Sequence, residues 1–215
     1  MTHEKPAGLP EKIQLFIDGE FVDAQDGAEF DVIEPVSNEV YIKAASAGKV
    51  DVDLAVAAAK RAFDEGPWPK MLPRERSRIL HKVADIVESR DDQLALIESW
   101  DSGLPITQAK GQARRAAENF RFFADLIVAE HDNVTKVPGR QINYVNRKPK
   151  GVAGLITPWN VPFMQESWKL APAIADQLAA RFDDAFPVAH EEDVAPAEAI
   201  RDLQELAALD AGATA

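Results

Sequence analysis

The sequence predicts an α/β chain that ends in an acidic, partly helical tail, and three observations carry that expectation. Short runs of alternating apolar residues cluster before residue 50, helical apolar stripes fill most of residues 51–131, and an almost wholly apolar run at 151–157 leads into another helix. The 215 residues, 46% of them apolar, suffice for one ordinary domain with an appendage and exclude a disordered chain. A net charge of −12 would repel nucleic-acid backbones and anionic membrane surfaces, so neither is expected as a partner. No apolar run approaches the roughly 20 residues that cross a bilayer, and MTHEKPAGLPEK has no apolar signal core, so a soluble, cytoplasmic protein is expected. The count of zero cysteines removes disulfides, thiolate metal sites and every thiol nucleophile.

Each element has its own signal. Residues 1–13 are expected to be a flexible N-terminus. In QLFIDGEFVD, residues 14–23, an Asp-Gly pair between two apolar runs is a hairpin signal. FDVI at 30–33 and VYIKAA at 40–45 continue the strand pattern across a turn containing Pro35, Ser37 and Asn38. Asp51 is a plausible N-cap for a helix whose Val52, Ala55, Val56, Ala59 and Phe63 share a face, ending at Gly66. Pro73 opens a second helix with Ile79, Leu80, Val83, Ile86 and Val87, resuming after Asp91 and Asp92 and stopping at Gly103 and Pro105. A third is expected over about 107–131, with Ala113, Ala116, Phe120, Phe123 and Val128 on its apolar side. QINYVN at 141–146 alternates as an edge strand would, and GVAGLIT at 151–157 suits a parallel strand covered on both faces. After Pro162, FMQESWKLAPAIA reads as a helix.

The composition shifts after Ala175. Residues 176–215 hold ten acidic groups against Arg181 and Arg201, which is −8 of the chain's −12, and this marks a boundary between 14–175 and 176–215. Within the tail, Pro196 can open a helix in which Ile200, Leu203, Leu206 and Leu209 share a face.

The sequence places its candidate chemistry where the apolar run ends. Pro158 and Pro162 stiffen a Pro-Trp-Asn-Val-Pro turn, Trp159 presents an amphipathic face, and the Asn160 amide could stabilise a developing oxyanion. The alternative is an asparagine bonding its own turn and a tryptophan capping the core. The four histidines are dispersed without metal-ligand spacing, so no metal site is expected. Arg74, Arg76 and Arg78 with Glu75 read as a solvated helix face. Asn133-Val134-Thr135 fits a glycosylation sequon and is discounted for want of a secretion signal.

The stretch TPWNVPFMQESWKLAPAIA resembles the aldehyde dehydrogenase superfamily, and the agreement extends through LFIDGEFVDA, AVAAAKRAF, ESWDSGLPI, the Asn119-Phe120 helix and KPKGVAGLI. It covers residues 14–175. PWNVPFM and WKLAP are most similar to the semialdehyde dehydrogenases of aromatic catabolism, such as those acting on 5-carboxymethyl-2-hydroxymuconate semialdehyde. The resemblance implies an incomplete, N-terminal part of a Rossmann-like fold that oxidises an aldehyde to a carboxylate with NAD or NADP. It implies that Asn160 is the amide stabilising the thiohemiacetal oxyanion. Ile156, Thr157, Pro158 and Trp159 would lie along the nicotinamide side of the cofactor cleft. Trp168 and Lys169 would fall where the family lines its substrate tunnel, the lysine serving a proton relay in some members; the alternatives are a packed aromatic and a solvated helix lysine. The hairpin at 15–23 and the strand at 141–148 match segments used for subunit contact, which implies a homo-oligomer or pairing with a full-length homologue.

The departure begins after Ala175. The family continues there into a strand carrying a ribose-binding lysine, a glycine-containing helix, a glutamate base and the cysteine nucleophile, and this chain has none of them. Only one wall of the cofactor cleft is encoded, which leaves NAD or NADP binding by this chain open. The expectation is a truncated form inactive alone; the alternative is a catalytically silent oligomerisation subunit or the product of a recombined gene. FDDAFPVAHEEDVAPAEAIRDL in the tail resembles a segment of the large bacterial NAD-specific glutamate dehydrogenases, the alternative being an unrelated acidic amphipathic helix.

Overall fold

A computed structural model of the chain describes residues 5–6, 9–130, 134–145 and 148–175. The acidic tail and its expected helix lie outside them. The chain opens with β1 (Lys12–Ile13), β2 (Leu15–Ile17), β3 (Glu20–Val22), β4 (Glu29–Ile33) and β5 (Val40–Ala45). β2 and β3 form the expected hairpin, with Leu15 opposite Val22. Its turn needs two left-handed residues, supplied by Asp18 at φ 59° and Gly19 at φ 84°. β5 is central in a second sheet, parallel to β1 and antiparallel to β4. The expectation of a flexible 1–13 is corrected at its end: Lys12 and Ile13 are paired, because Ile13 buries with Ile42 and Ala44.

Helix α1 (Lys49–Glu65) starts before the expected cap. Gly48 is the N-cap, and Asp51, in the first turn, accepts from the Gly48 N–H at 2.8 Å and the Gln25 N–H at 3.0 Å. One buried carboxylate thus satisfies the helix start and ties it to the preceding loop. α1's expected apolar stripe is largely uncovered, with Val52 and Val56 exposed. After a 3-10 turn at Trp68–Lys70 come α2 (Pro73–Ser89) and α3 (Asp91–Ser102), separated at Arg90, whose backbone leaves the helical region. Glu75 accepts from the Leu72 N–H at 2.8 Å, closing the first turn of α2. Arg76 is buried, which corrects the solvated-face reading for that residue. It stands one turn before Leu80 on the same inward stripe, with Ala84 and Val87, while Arg74 and Arg78 are exposed.

α3 ends at Gly103, which takes the left-handed C-cap position at φ 73°. A Cβ there would also come within 3.2 Å of the Pro35 ring. α4 (Ile106–Ala129) then packs against α2 and α3, and α5 (Pro162–Ala175) packs on α4. The main core is formed by these helices and is rich in alanine, with Ala109, Ala113, Ala116, Ala117, Ala124 and Ala171 all buried around Phe120. The small side chains leave room for the Phe120 ring, which is 1% exposed within this cluster. Tyr41 joins the sheet to α3 through a 2.6 Å hydrogen bond to Asp101 and an edge contact with Trp100.

Between α4 and α5 the chain makes a second hairpin, β6 (Val134–Val137) with β7 (Gln141–Tyr144), Val134 lying opposite Tyr144. β7 is the strand expected at 141–146, whereas β6 carried no recognised strand signal. Residues 151–157 are not a strand. Val152, Ala153, Gly154 and Ile156 are exposed, and among the described residues no neighbouring strand supplies the ladder that a buried parallel strand needs.

Candidate functional site

The site expected from the sequence lies in the turn that feeds α5. Thr157 is buried and its hydroxyl has no hydrogen-bond partner among the described residues; Pro162 and Phe163 are buried five and six residues later. Between these fixed points the chain must bulge outward, so Trp159 is 71% exposed and Asn160 is exposed beside it. The Asn160 amide is therefore presented to solvent from a short segment stiffened by Pro158 and Pro162. Ile156 is exposed and Pro158 half-buried.

α5 holds this turn from below. The Lys169 ammonium donates to the Ile156 carbonyl, one residue before the buried threonine. Burial lowers the Lys169 pKa from its ordinary value, because taking the charged form out of water is costly. Trp168 is 43% exposed on the same helix. Thus the structure brings Lys169 to Ile156 directly, and leaves Trp159, Asn160 and Trp168 facing solvent.

Two supporting contacts were not legible as such in the sequence. The Asn119 amide donates to the Ser167 hydroxyl at 2.8 Å, and that hydroxyl donates to the Met164 carbonyl at 2.6 Å. The Trp68 indole N–H donates to the Ile174 carbonyl at 2.8 Å. Together they clamp the middle and the C-terminal end of α5 onto α4 and the 3-10 turn. The available signal was an amide interrupting the apolar stripe of α4 between Ala116 and Phe123.

A model of the aldehyde dehydrogenase family matches residues 21–176. The chain belongs to the aldehyde dehydrogenase family. A second model, glutamate dehydrogenase helical motif 2, matches residues 169–209, in line with the resemblance seen in the tail. Among curated relatives, the mitochondrial benzaldehyde dehydrogenase of Antirrhinum majus is 40% identical over 176 residues, covering 80% of this chain and 33% of that protein. The cytosolic 10-formyltetrahydrofolate dehydrogenase of Xenopus tropicalis is 42% identical over 167 residues, covering 75% of this chain and 18% of that protein. The chain thus spans a third or less of these relatives. Among solved structures, an NAD-dependent aldehyde dehydrogenase from Sinorhizobium meliloti is similar at 40% identity and a TM-score of 0.73, over 77% of this chain and 33% of that one. PnpE in complex with nicotinamide adenine dinucleotide is similar at 36% identity and a TM-score of 0.76, over 92% and 39%.

Family membership supports NAD or NADP as cofactor. The described aldehyde dehydrogenase residues fit one end of such a molecule. Ile156 and Trp159 offer exposed apolar surface for a flat ring, whereas Thr157 between them is buried. They do not fit the rest: among the described residues, no glycine-rich turn opens a helix at this loop to receive a pyrophosphate, since α5 begins with Pro162 and Phe163.

Proposed function

We propose that this chain carries the amide side of an aldehyde-oxidising centre, with Asn160 as the oxyanion donor and Trp168 and Lys169 beside the substrate path. The observation that carries the reading is the presentation of Asn160, held outward between buried Thr157 and buried Pro162 within a segment matched by the family. A preorganised amide is worth most when its backbone need not reorganise during the reaction. The substrate is an aldehyde oxidised to a carboxylate with NAD or NADP. A semialdehyde from aromatic breakdown is the finer assignment, resting on PWNVPFM and WKLAP.

The same reading makes the 215 residues inactive by themselves. They contain no cysteine, so no thiolate is available to form the covalent intermediate. Removing the covalent nucleophile of a well-studied hydrolase costs on the order of 10⁶ in turnover, against about 10²–10³ for one oxyanion donor. A surviving donor cannot offset a missing nucleophile.

The role of Asn160 is tested by joining residues 14–175 to the remaining portion of a related aldehyde dehydrogenase and comparing the chimera with its Asn160→Ala variant. A fall in kcat of about 10²–10³ with little change in KM is expected for a donor that acts in the transition state. An active chimera indifferent to Asn160→Ala contradicts the assignment.

A further inference from the structure

All twelve lysines of the sequence lie among the described residues, and three of them are half-buried: Lys12, Lys110 and Lys169. Lys12 faces Glu29 at 2.6 Å and Asp23 at 3.0 Å, and Lys110 faces Asp92 at 2.6 Å. A carboxylate at that range holds an amine in its charged form. Lys169 differs from both. Its partner among the described residues is the Ile156 carbonyl, which offers an ammonium no counter-charge. The side chains around that contact are apolar and open to solvent: Ile156 itself, Trp168 next to the lysine on α5, and Trp159 in the turn that follows Ile156.

We propose that Lys169 captures aromatic aldehydes as a reversible imine on the surface formed by Ile156, Trp159 and Trp168, resting on the reading above that this loop and helix border the substrate path. Lysine becomes a nucleophile when desolvation leaves its amine neutral, and burial acts on Lys169 in that direction. A neutral amine can keep one N–H on the Ile156 carbonyl while its lone pair stays available to a carbonyl carbon. The exposed indole faces give a flat ring an apolar surface on which to stack, which favours an aromatic aldehyde over a small aliphatic one.

The chemistry balances without a cofactor. The lone pair of the Lys169 nitrogen forms the C–N bond as the carbonyl π pair moves to oxygen, which takes a proton from water, and the nitrogen gives up a proton to water. The resulting carbinolamine loses its hydroxyl, with a proton, as water while the nitrogen pair closes the C=N bond. One water is released for each aldehyde captured, nothing is oxidised or reduced, and hydrolysis returns both partners. In a chain with no thiol the aldehyde is thereby held and not converted.

The test uses the 215-residue chain at neutral pH with benzaldehyde and cyanoborohydride, which reduces an imine to a stable secondary amine, and peptide mapping to locate the adducts. Lys169 is expected to be labelled several-fold faster than the exposed Lys82. Lys169→Arg, whose guanidinium keeps a donor for Ile156 but stays protonated, should lose that fast component alone. A second measurement separates the bond from the surface: benzaldehyde without reductant should slow amide exchange over residues 156–161 several-fold more in the parent than in Lys169→Arg. Labelling of Lys169 no faster than that of Lys82 overturns the proposal. If benzaldehyde then protects residues 156–161 equally in both chains, the imine is lost and the reading of this surface as a substrate border stands. Absence of both labelling and protection removes the imine and that reading together.

Discussion

Ala171→Leu tests whether α5 is seated as described, and hence whether its turn is held. Ala171 is 0% exposed and belongs to the alanine-lined core shared with α4. Leucine adds three heavy atoms at a position with no exposed surface, and overpacking of this kind costs about 1–3 kcal/mol. For a chain of this length, each kcal/mol lowers Tm by about 2–4 °C, so a fall of about 2–12 °C is expected by differential scanning calorimetry. Ala57→Leu, on the exposed side of α1, adds the same atoms where nothing is displaced and should stay within about 0.5 kcal/mol of the parent. Loss of α5 seating should also speed amide exchange across residues 156–161, because Lys169 holds the Ile156 carbonyl from that helix. An Ala171→Leu chain that melts like the parent and exchanges at the parent's rate refutes the packing of α5 against α4.

Other perturbations probe separate contacts. Asn119→Ala removes the donor to Ser167 and should cost about 0.5–1.5 kcal/mol in a urea titration, since the Ser167 hydroxyl keeps its bond to Met164; no change would mean the amide clamps nothing. Burial lowers the Lys169 pKa, so between that depressed value and the ordinary 10.5 the folded chain binds fewer protons than the unfolded one. Stability should therefore rise with pH across that window, and Lys169→Met should lose this slope. Glu29 lies below its ordinary 4.5 because Lys12 donates to it, so its contribution is fully present above 4.5 and disappears as pH falls through the depressed value. Lys12→Met should flatten this part of the acid limb, and an unchanged limb would remove Lys12 as its cause.

The elements that were legible in the sequence were those whose local chemistry agrees with their packing. The Asp18-Gly19 turn demanded a left-handed pair and received one, and the α4 stripe through Ala113, Ala116 and Phe120 is the buried stripe observed. Failures came where the decisive term is tertiary. The apolar run at 151–157 has the composition of a covered strand, yet a strand needs a neighbour with which to exchange hydrogen bonds, and the described residues offer none. Arg76 lies among exposed charges in sequence but faces inward because it stands one turn before Leu80. At the site, the proline-stiffened turn and Asn160 could be read directly, whereas the Asn119–Ser167 and Trp68–Ile174 bonds join segments 48 and 106 residues apart and left no local pattern.

Asn160, proposed as the oxyanion donor, lies in a sequence of 215 residues that holds no cysteine. The most direct measurement is aldehyde-dependent formation of reduced nicotinamide by the purified 215-residue chain, with NAD and with NADP, across aliphatic, aromatic and semialdehyde substrates. No rate above the protein-free control is expected. Sustained turnover that copurifies with the chain and vanishes in Asn160→Ala would contradict the requirement for a separate nucleophile.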